Sequence, residues 1–388
     1  MSLALLSLFL AAFAIGTNEF VVAGLLPDIS RDLSVSIPIA GLLISAYALG
    51  VAIGGPILSL LTSRYPRKPM VLILMGVFVA GNVLCALAPN YTVLMVARLI
   101  ISATHGTFFG IAAIIAVSIV PENRRGSALA LLLAGITVAN LLGVPGGTAV
   151  GHLWGWRATF WIIAGVAVLA ALAMAILLPG TSAGSHTRSP IASQFRVLAR
   201  MQVWQSYVII VLWMVGFWTL FTYIAPYLTN VAGFRDKQVA PLLLVFGLGA
   251  TAGIFVGGRL ADWKPAPTLL GVFPAQAISL ILLLLYASSA GVVAVLLFFV
   301  GFLCFAPSST LQNRVLQHAR DAPELASTLI SSVFNIGISA GALAGAALLS
   351  RGVAYEQLPV FALVFAVAAS IYSAYSVWQD RKEAAATI

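Results

Sequence analysis

LALLSLFLAAFAIGTNEFVVAGLL, residues 3–26, decides the class of this protein. A helix needs ~20 apolar residues at ~1.5 Å each to cross a ~30 Å hydrocarbon layer, and this run is long enough. Its one ionisable side chain is Glu19, inside Gly16-Thr17-Asn18-Glu19-Phe20. A carboxylate near mid-bilayer costs about 2.5–3.5 kcal/mol on insertion scales. A chain tolerates that where the group faces a cavity or takes up a proton. The other apolar runs avoid acid, so Glu19 most needs a functional explanation. The same run contains Ala12-Phe13-Ala14, a pattern found at signal-peptide cleavage sites. No basic residues precede it and apolar sequence continues beyond it, so it reads as a retained first span.

The rest of the chain repeats the pattern. Mean hydropathy is +1.06, 61% of residues are hydrophobic and 8% are charged. Those values exclude a soluble globular chain of 388 residues and indicate an all-α, polytopic membrane protein. Spans are expected at 3–26, 38–61, 69–88, 93–120, 127–150, 158–178, 204–228, 238–261, 267–287, 291–316, 325–349 and 358–379, about twelve in all. Pro, Gly and charge punctuate them, as at Pro66-Arg67-Lys68-Pro69 and Gly155-Trp156-Arg157. The longest polar segment, 179–203, divides the chain into an N-terminal six-helix bundle, 1–178, and a C-terminal one, 204–388.

Charge sets the orientation. With the N-terminus in the cytoplasm, fourteen of the 20 Lys and Arg fall on cytoplasmic segments. The outer segments hold Arg31, Arg157, Arg235, Lys237 and Arg351, and Arg98 lies within a span. That bias predicts both termini inside. The net charge of +9 is scattered among short loops, so no nucleic-acid partner is expected. Cys85 and Cys304 are lone thiols in apolar runs and suggest neither a disulfide framework nor a metal site. There is no Gly-x-x-x-x-Gly-Lys-Ser/Thr for a nucleotide and no clustered catalytic set, so neither an enzyme nor a cofactor is expected.

A weak internal repeat appears at an offset of 199 residues. Pro27 aligns with Pro226, Gly50 with Gly249, Gly54 with Gly253 and Pro66 with Pro265. Two similar six-span halves are what a secondary transporter needs to expose one site alternately to either side.

Several stretches carry polar side chains into the apolar runs. In the fourth, Arg98, Ser102, His105 and Phe109 fall on one helical face. That face is expected to point to a cavity, or Arg98 to snorkel to the outer headgroups and His105 to sit neutral between helices. The fifth reads Gly135-Ile-Thr137-Val-Ala139-Asn140-Leu-Leu-Gly143-Val-Pro145-Gly146-Gly147, where Gly and Pro permit bending and close packing. Asn140 is a candidate cavity residue or interhelical glue. In the second half Trp213, Trp218, Tyr223, Gln312, Asn313 and Asn335, with Asn18 and Tyr47 in the first, are the candidate substrate contacts. Aromatic and amide groups suit sugars and flat drug-like molecules alike.

The loop after the second span is Ser59-Leu60-Leu61-Thr62-Ser63-Arg64-Tyr65-Pro66-Arg67-Lys68, and after the eighth Gly258-Arg259-Leu260-Ala261-Asp262-Trp263-Lys264. With the fifth-span Gly/Pro stretch and Arg98, these resemble the major facilitator superfamily. More closely, they resemble its twelve-span drug:proton antiporter branch, in the arabinose-efflux-permease-like group. The first loop departs from the family's Gly-x-x-x-Asp-Arg-x-Gly-Arg-Arg at Ser59, Ser63 and Pro66. The resemblance implies two pseudo-symmetric six-helix bundles, a bacterial inner-membrane location and a monomer. It also implies a conformational latch at Arg64, Arg67, Gly258 and Asp262.

The expected function is secondary active transport of a small solute such as a sugar or amphipathic drug, by proton-coupled efflux. Glu19 would carry the proton, with Arg98 and His105 beside it, or would serve as their structural partner. Proton symport or facilitated uptake of a sugar or nucleoside is the alternative. A non-transporting membrane receptor or scaffold is the reading from another class.

Overall fold

The structure, a computed structural model, describes residues 3–62, 64–180, 200–319 and 323–386. The described residues hold helices and no strand. Among the described residues, twelve helical stretches are long and apolar enough to cross a membrane. They are α1 (Leu3–Asp32), α2 (Ile37–Thr62), α3 (Arg67–Leu87), α4 (Tyr91–Ser118), α5 (Glu122–Trp154) and α6 (Trp156–Leu177). The second set is α7 (Met201–Phe221), α8 (Asp236–Trp263), α9 (Pro265–Leu285), α10 (Ala290–His318), α11 (Leu329–Ser350) and α12 (Tyr355–Lys382). Most of the segment expected as a linker lies outside the described residues. Large apolar side chains such as Leu60, Leu169, Ile176, Phe255 and Ile371 are exposed, which fits helices whose surrounding medium is lipid.

The chain forms two compact units. One holds α1–α6 with Arg235–Leu244 at the start of α8, and the other holds α7, the remainder of α8 and α9–α12. In the first, α1 packs on α2, α5 and α6, α2 on α4, and α3 on α4 and α6. In the second, α7 packs on α11 and α12, and α9 on α10 and α12.

The repeat read from the sequence corresponds to repeated packing. A Cβ placed on Gly54 of α2 would lie 3.1 Å from Ala103 of α4; one on Gly253 of α8 would lie 2.2 Å from the Phe302 carbonyl of α10. Ala103 and Phe302 are themselves 199 positions apart. Both interfaces therefore use a glycine at the same register to let backbones approach.

Three spans break from regular α-helix. In α5, Ala139–Gly143 forms a single π turn just ahead of Pro145. A proline lacks the N–H that the Leu141 carbonyl would accept, and the wider turn absorbs that loss. Beyond it Gly143, Gly147 and Gly151 meet Thr17, Val21 and Leu25 of α1, one contact per turn. The expected seventh span, 204–228, is two segments: α7 stops at Phe221 and a short helix resumes over Ile224–Asn230. Pro226 explains the interruption in the same way. In α10 the helix is interrupted at Ala306-Pro307.

Gly155-Trp156-Arg157 is a structural clamp. Gly155 has φ +85° and ψ 148°, a region essentially confined to glycine. It starts α6 so that Trp156 Nε1 donates to Asp32 Oδ2 at 3.1 Å. Arg157 pairs with the same carboxylate and donates to the Ala88 carbonyl at 2.8 Å. One turn thus joins the ends of α1, α3 and α6.

Candidate functional site

Inside the first unit, polar side chains from α1–α4 converge. Arg98 and His105 are seven residues apart on α4, about 20° from eclipsed, so both reach α1 and α2. Asn18 and Glu19 are adjacent on α1 and point about 100° apart. Asn18 meets Arg98, and Glu19 meets His105.

Arg98 is fully buried, so it does not snorkel. Its Nη1 donates to the Asn18 carbonyl at 3.2 Å and to Asn18 Oδ1 at 3.4 Å, and Nε donates to the Leu43 carbonyl at 3.4 Å. Its guanidinium carbon sits 4.4 Å from the centre of the Tyr47 ring, a cation–π contact strengthened by the dry surroundings. Its Nη2 has no hydrogen-bond partner among the described residues. Glu19 acts on Arg98 through its field, but among the described residues the two form no ion pair.

Asn82 of α3 was not among the residues singled out from sequence. Its Nδ2 donates to the Phe78 carbonyl at 2.8 Å, which turns its Oδ1 toward Asn18, where it accepts from Nδ2 at 2.6 Å. That bond in turn presents Asn18 Oδ1 to Arg98. A lone amide within an apolar span was the available signal, the same one that marked Glu19.

Glu19 Oε2 lies 3.9 Å from His105 Nε2, beyond hydrogen-bond reach by about 1 Å. On the other side of the imidazole, Nδ1 is 3.2 Å from the Tyr47 hydroxyl. If the phenol donates to Nδ1, Nε2 carries the hydrogen and faces a carboxylate. If Nδ1–H donates to the phenol, Nε2 faces a protonated carboxyl as acceptor. The arrangement therefore suits either protonation state of Glu19. Glu19 and His105 are 8% and 7% exposed, whereas Asn18, Asn82 and Arg98 are sealed. The carboxyl–imidazole end of the cluster is thus the end nearer accessible space.

The other sequence candidates fall elsewhere. Phe109, half-buried, packs 5.2 Å from the His105 ring. Ser102 does not join Arg98 and His105 in the cluster. Its hydroxyl donates to the Leu99 carbonyl and fills the space left by Gly50, so close helix packing claims it. Asn140 donates to the Ile136 carbonyl at 3.2 Å. In the second unit Trp213 is buried against Phe273 and Phe334, and Trp218 against Phe217 and Phe221. Tyr223 is buried and donates to the Ala342 carbonyl at 3.1 Å. Gln312 and Asn313 are exposed, and Asn335 is buried with Oδ1 unpartnered. Arg314, near the cytoplasmic end of the expected tenth span, is buried and pairs with Asp380 at 3.0 Å. Of the latch residues, Arg64 and Asp262 are exposed, Arg67 opens α3 and Gly258 lies half-buried in α8. Asp262 makes no ion pair among the described residues.

Comparison with known proteins accords with this architecture. The Major Facilitator Superfamily profile matches residues 8–346. The inner membrane transport protein YdhP of Escherichia coli (strain K12) is 38% identical over 362 residues, covering 93% of this chain and 92% of that protein. The chloramphenicol resistance protein of Streptomyces lividans is 35% identical over 353 residues, covering 90% of each. A solved bacterial homolog of the human lysosomal transporter Spinster, in an inward-facing and unoccupied conformation, superposes with a TM-score of 0.75. It shares 18% identity and covers 96% of each chain, and so supports the fold alone. With a profile along most of its length and relatives well above 30% identity over nine-tenths of it, the chain belongs to the Major Facilitator Superfamily, as a twelve-span inner-membrane transporter of small molecules and not an enzyme.

Proposed function

We propose that this transporter is a proton-coupled exporter of small amphipathic organic molecules, driven by the proton gradient without a cofactor and working as a monomer. Glu19 is the proton carrier and His105, oriented by Tyr47, its exchange partner. The observation that carries this reading is the Glu19–His105–Tyr47 line, with 3.9 Å and 3.2 Å separations, set beside Arg98 and Asn18 inside the first bundle. An ionised carboxylate is costly in a dry site and stable in a wet one. Opening and closing the site around Glu19 therefore biases where its proton resides. The Arg98 cation, held by neutral groups, supplies a fixed positive field beside it. Similarity to a chloramphenicol resistance protein supports export and an amphipathic cargo.

The test is substrate-triggered proton movement in proteoliposomes, wild type against Glu19→Gln, with lipophilic drugs, sugars and nucleosides. Drug-triggered proton movement in the wild type, lost in Glu19→Gln while drug binding persists, is expected. Proton-linked transport that survives Glu19→Gln removes Glu19 from the role. Solute movement without protons in either protein identifies a uniporter, and co-directional movement a symporter.

A further inference from the structure

A second imidazole–carboxylate pair lies at the end of the first unit that the Lys and Arg bias turns outward, and the transport reading leaves it unused. Asp28 follows Pro27 near the end of α1, and His152 lies in the last turn of α5. His152 Nε2 is 3.3 Å from Asp28 Oδ2, with the side chains 10% and 22% exposed. Among the described residues, Asp28 Oδ2 and His152 Nδ1, both buried, have no hydrogen-bond partner.

Several groups act on the Asp28 carboxyl, and burial weighs most against its charge. Arg31 Nη1, on a largely exposed side chain, lies 3.4 Å from Asp28 Oδ1. Asp236, the first residue of α8 and part of the same unit, adds a second negative charge acting on Asp28. Burial and Asp236 weigh against an ionised Asp28, and His152 and Arg31 favour it. A proton held by the imidazole places a cation 3.3 Å from a carboxylate that Arg31, largely exposed, meets only in part. Asp28 is nine residues from Glu19, about 13.5 Å along the helix and on its opposite side. The two pairs are therefore separate sites.

We infer that Asp28 and His152 form a second proton-binding site, taking its proton from the outer aqueous phase. The inference does not depend on the role of Glu19 or on the substrate.

Proton uptake by the purified protein tests it without any substrate. A pH-indicator dye follows a step from about pH 8 to about pH 5.5, either side of the ordinary imidazole range. Wild type is expected to bind about one proton per chain more than His152→Gln, and Glu19→Gln is expected to keep that difference. Equal uptake by wild type and a folded His152→Gln overturns the inference. Asp28→Asn is the second arm, because it retains the imidazole and removes only its counter-charge. It should reduce the uptake that depends on His152. An uptake curve unchanged in Asp28→Asn overturns the inference even where His152→Gln does not fold.

Discussion

Replacing Gly249 by alanine should separate α8 from α10. A Cβ there would lie 1.9 Å from the Phe298 carbonyl oxygen, about 1.5 Å short of the 3.4 Å at which ordinary contact begins. The Phe298 carbonyl carbon and Cα stand at 2.8 and 3.0 Å. All three atoms are backbone inside a helix, so no rotamer relieves the clash and the helices must move apart. Overpacking of this kind costs about 1–3 kcal/mol. Alanine's better helix propensity, worth ~1 kcal/mol in water, offsets little here, because spanning helices keep their backbone bonds even when separated. Gly50, its counterpart at the 199-residue offset, meets a different obstacle. There the 1.9 Å neighbour is Ser102 Oγ, a hydroxyl that can rotate away at the loss of its bond to the Leu99 carbonyl. That loss is worth about 0.5–1.5 kcal/mol. Gly271 has nothing within 4 Å, and alanine there should stay within about 0.5 kcal/mol of wild type. Unfolding of the three variants in detergent should rank Gly249→Ala below Gly50→Ala and both below Gly271→Ala. If Gly249→Ala proves as stable as Gly271→Ala, close backbone approach is not what these glycines provide.

Two further outcomes concern the polar cluster. Asn82→Leu leaves Asn18 Nδ2 without its acceptor, an orphaned buried donor costing about 1–3 kcal/mol, and frees the amide that faces Arg98. Unfolding and transport measured together should both fall; wild-type values in both would show that Asn82 orients nothing. Tyr47→Phe keeps the ring against Arg98 but deletes the hydroxyl beside His105 Nδ1. Stability should drop by no more than about 1.5 kcal/mol, while the pH profile of transport shifts. A superimposable profile would detach Tyr47 from the imidazole's protonation.

The membrane class and the number of spans were legible because each depends on local composition. A run of apolar residues must cross, whatever it later packs against, and the Lys and Arg of short loops set its direction. Glu19 stood out by the same local logic, since its solvation cost is paid wherever the helix goes. Arg98 and His105 could be placed on one face from spacing alone. Ser102 shared that spacing and still went elsewhere, because Gly50 on another helix offered a notch its hydroxyl fills. Helical periodicity gives a direction around an axis, and only the neighbouring helix decides what occupies it.

The same distinction explains the aromatic and amide candidates of the second half. In a soluble protein a buried tryptophan needs little comment, but in lipid an aromatic ring is at home on either side of a helix. Its sequence position therefore does not separate a binding surface from packing, and Trp213, Trp218 and Tyr223 proved to be packed among rings and backbone. Polar groups are more informative, because lipid offers them no partner and each must find one across a helix interface. Asn82 with Asn18, and His152 with Asp28, are such meetings, 64 and 124 residues apart in the chain. Each member could be flagged from sequence as a group in need of a partner. Which partner it takes follows from the packing of α1, the helix that reaches α3 through Asn18, α4 through Glu19 and α5 through Asp28. The residue on α1 that first looked anomalous is thus one of three through which this helix ties the first unit together, and its acidity is the part of that role that packing alone does not require.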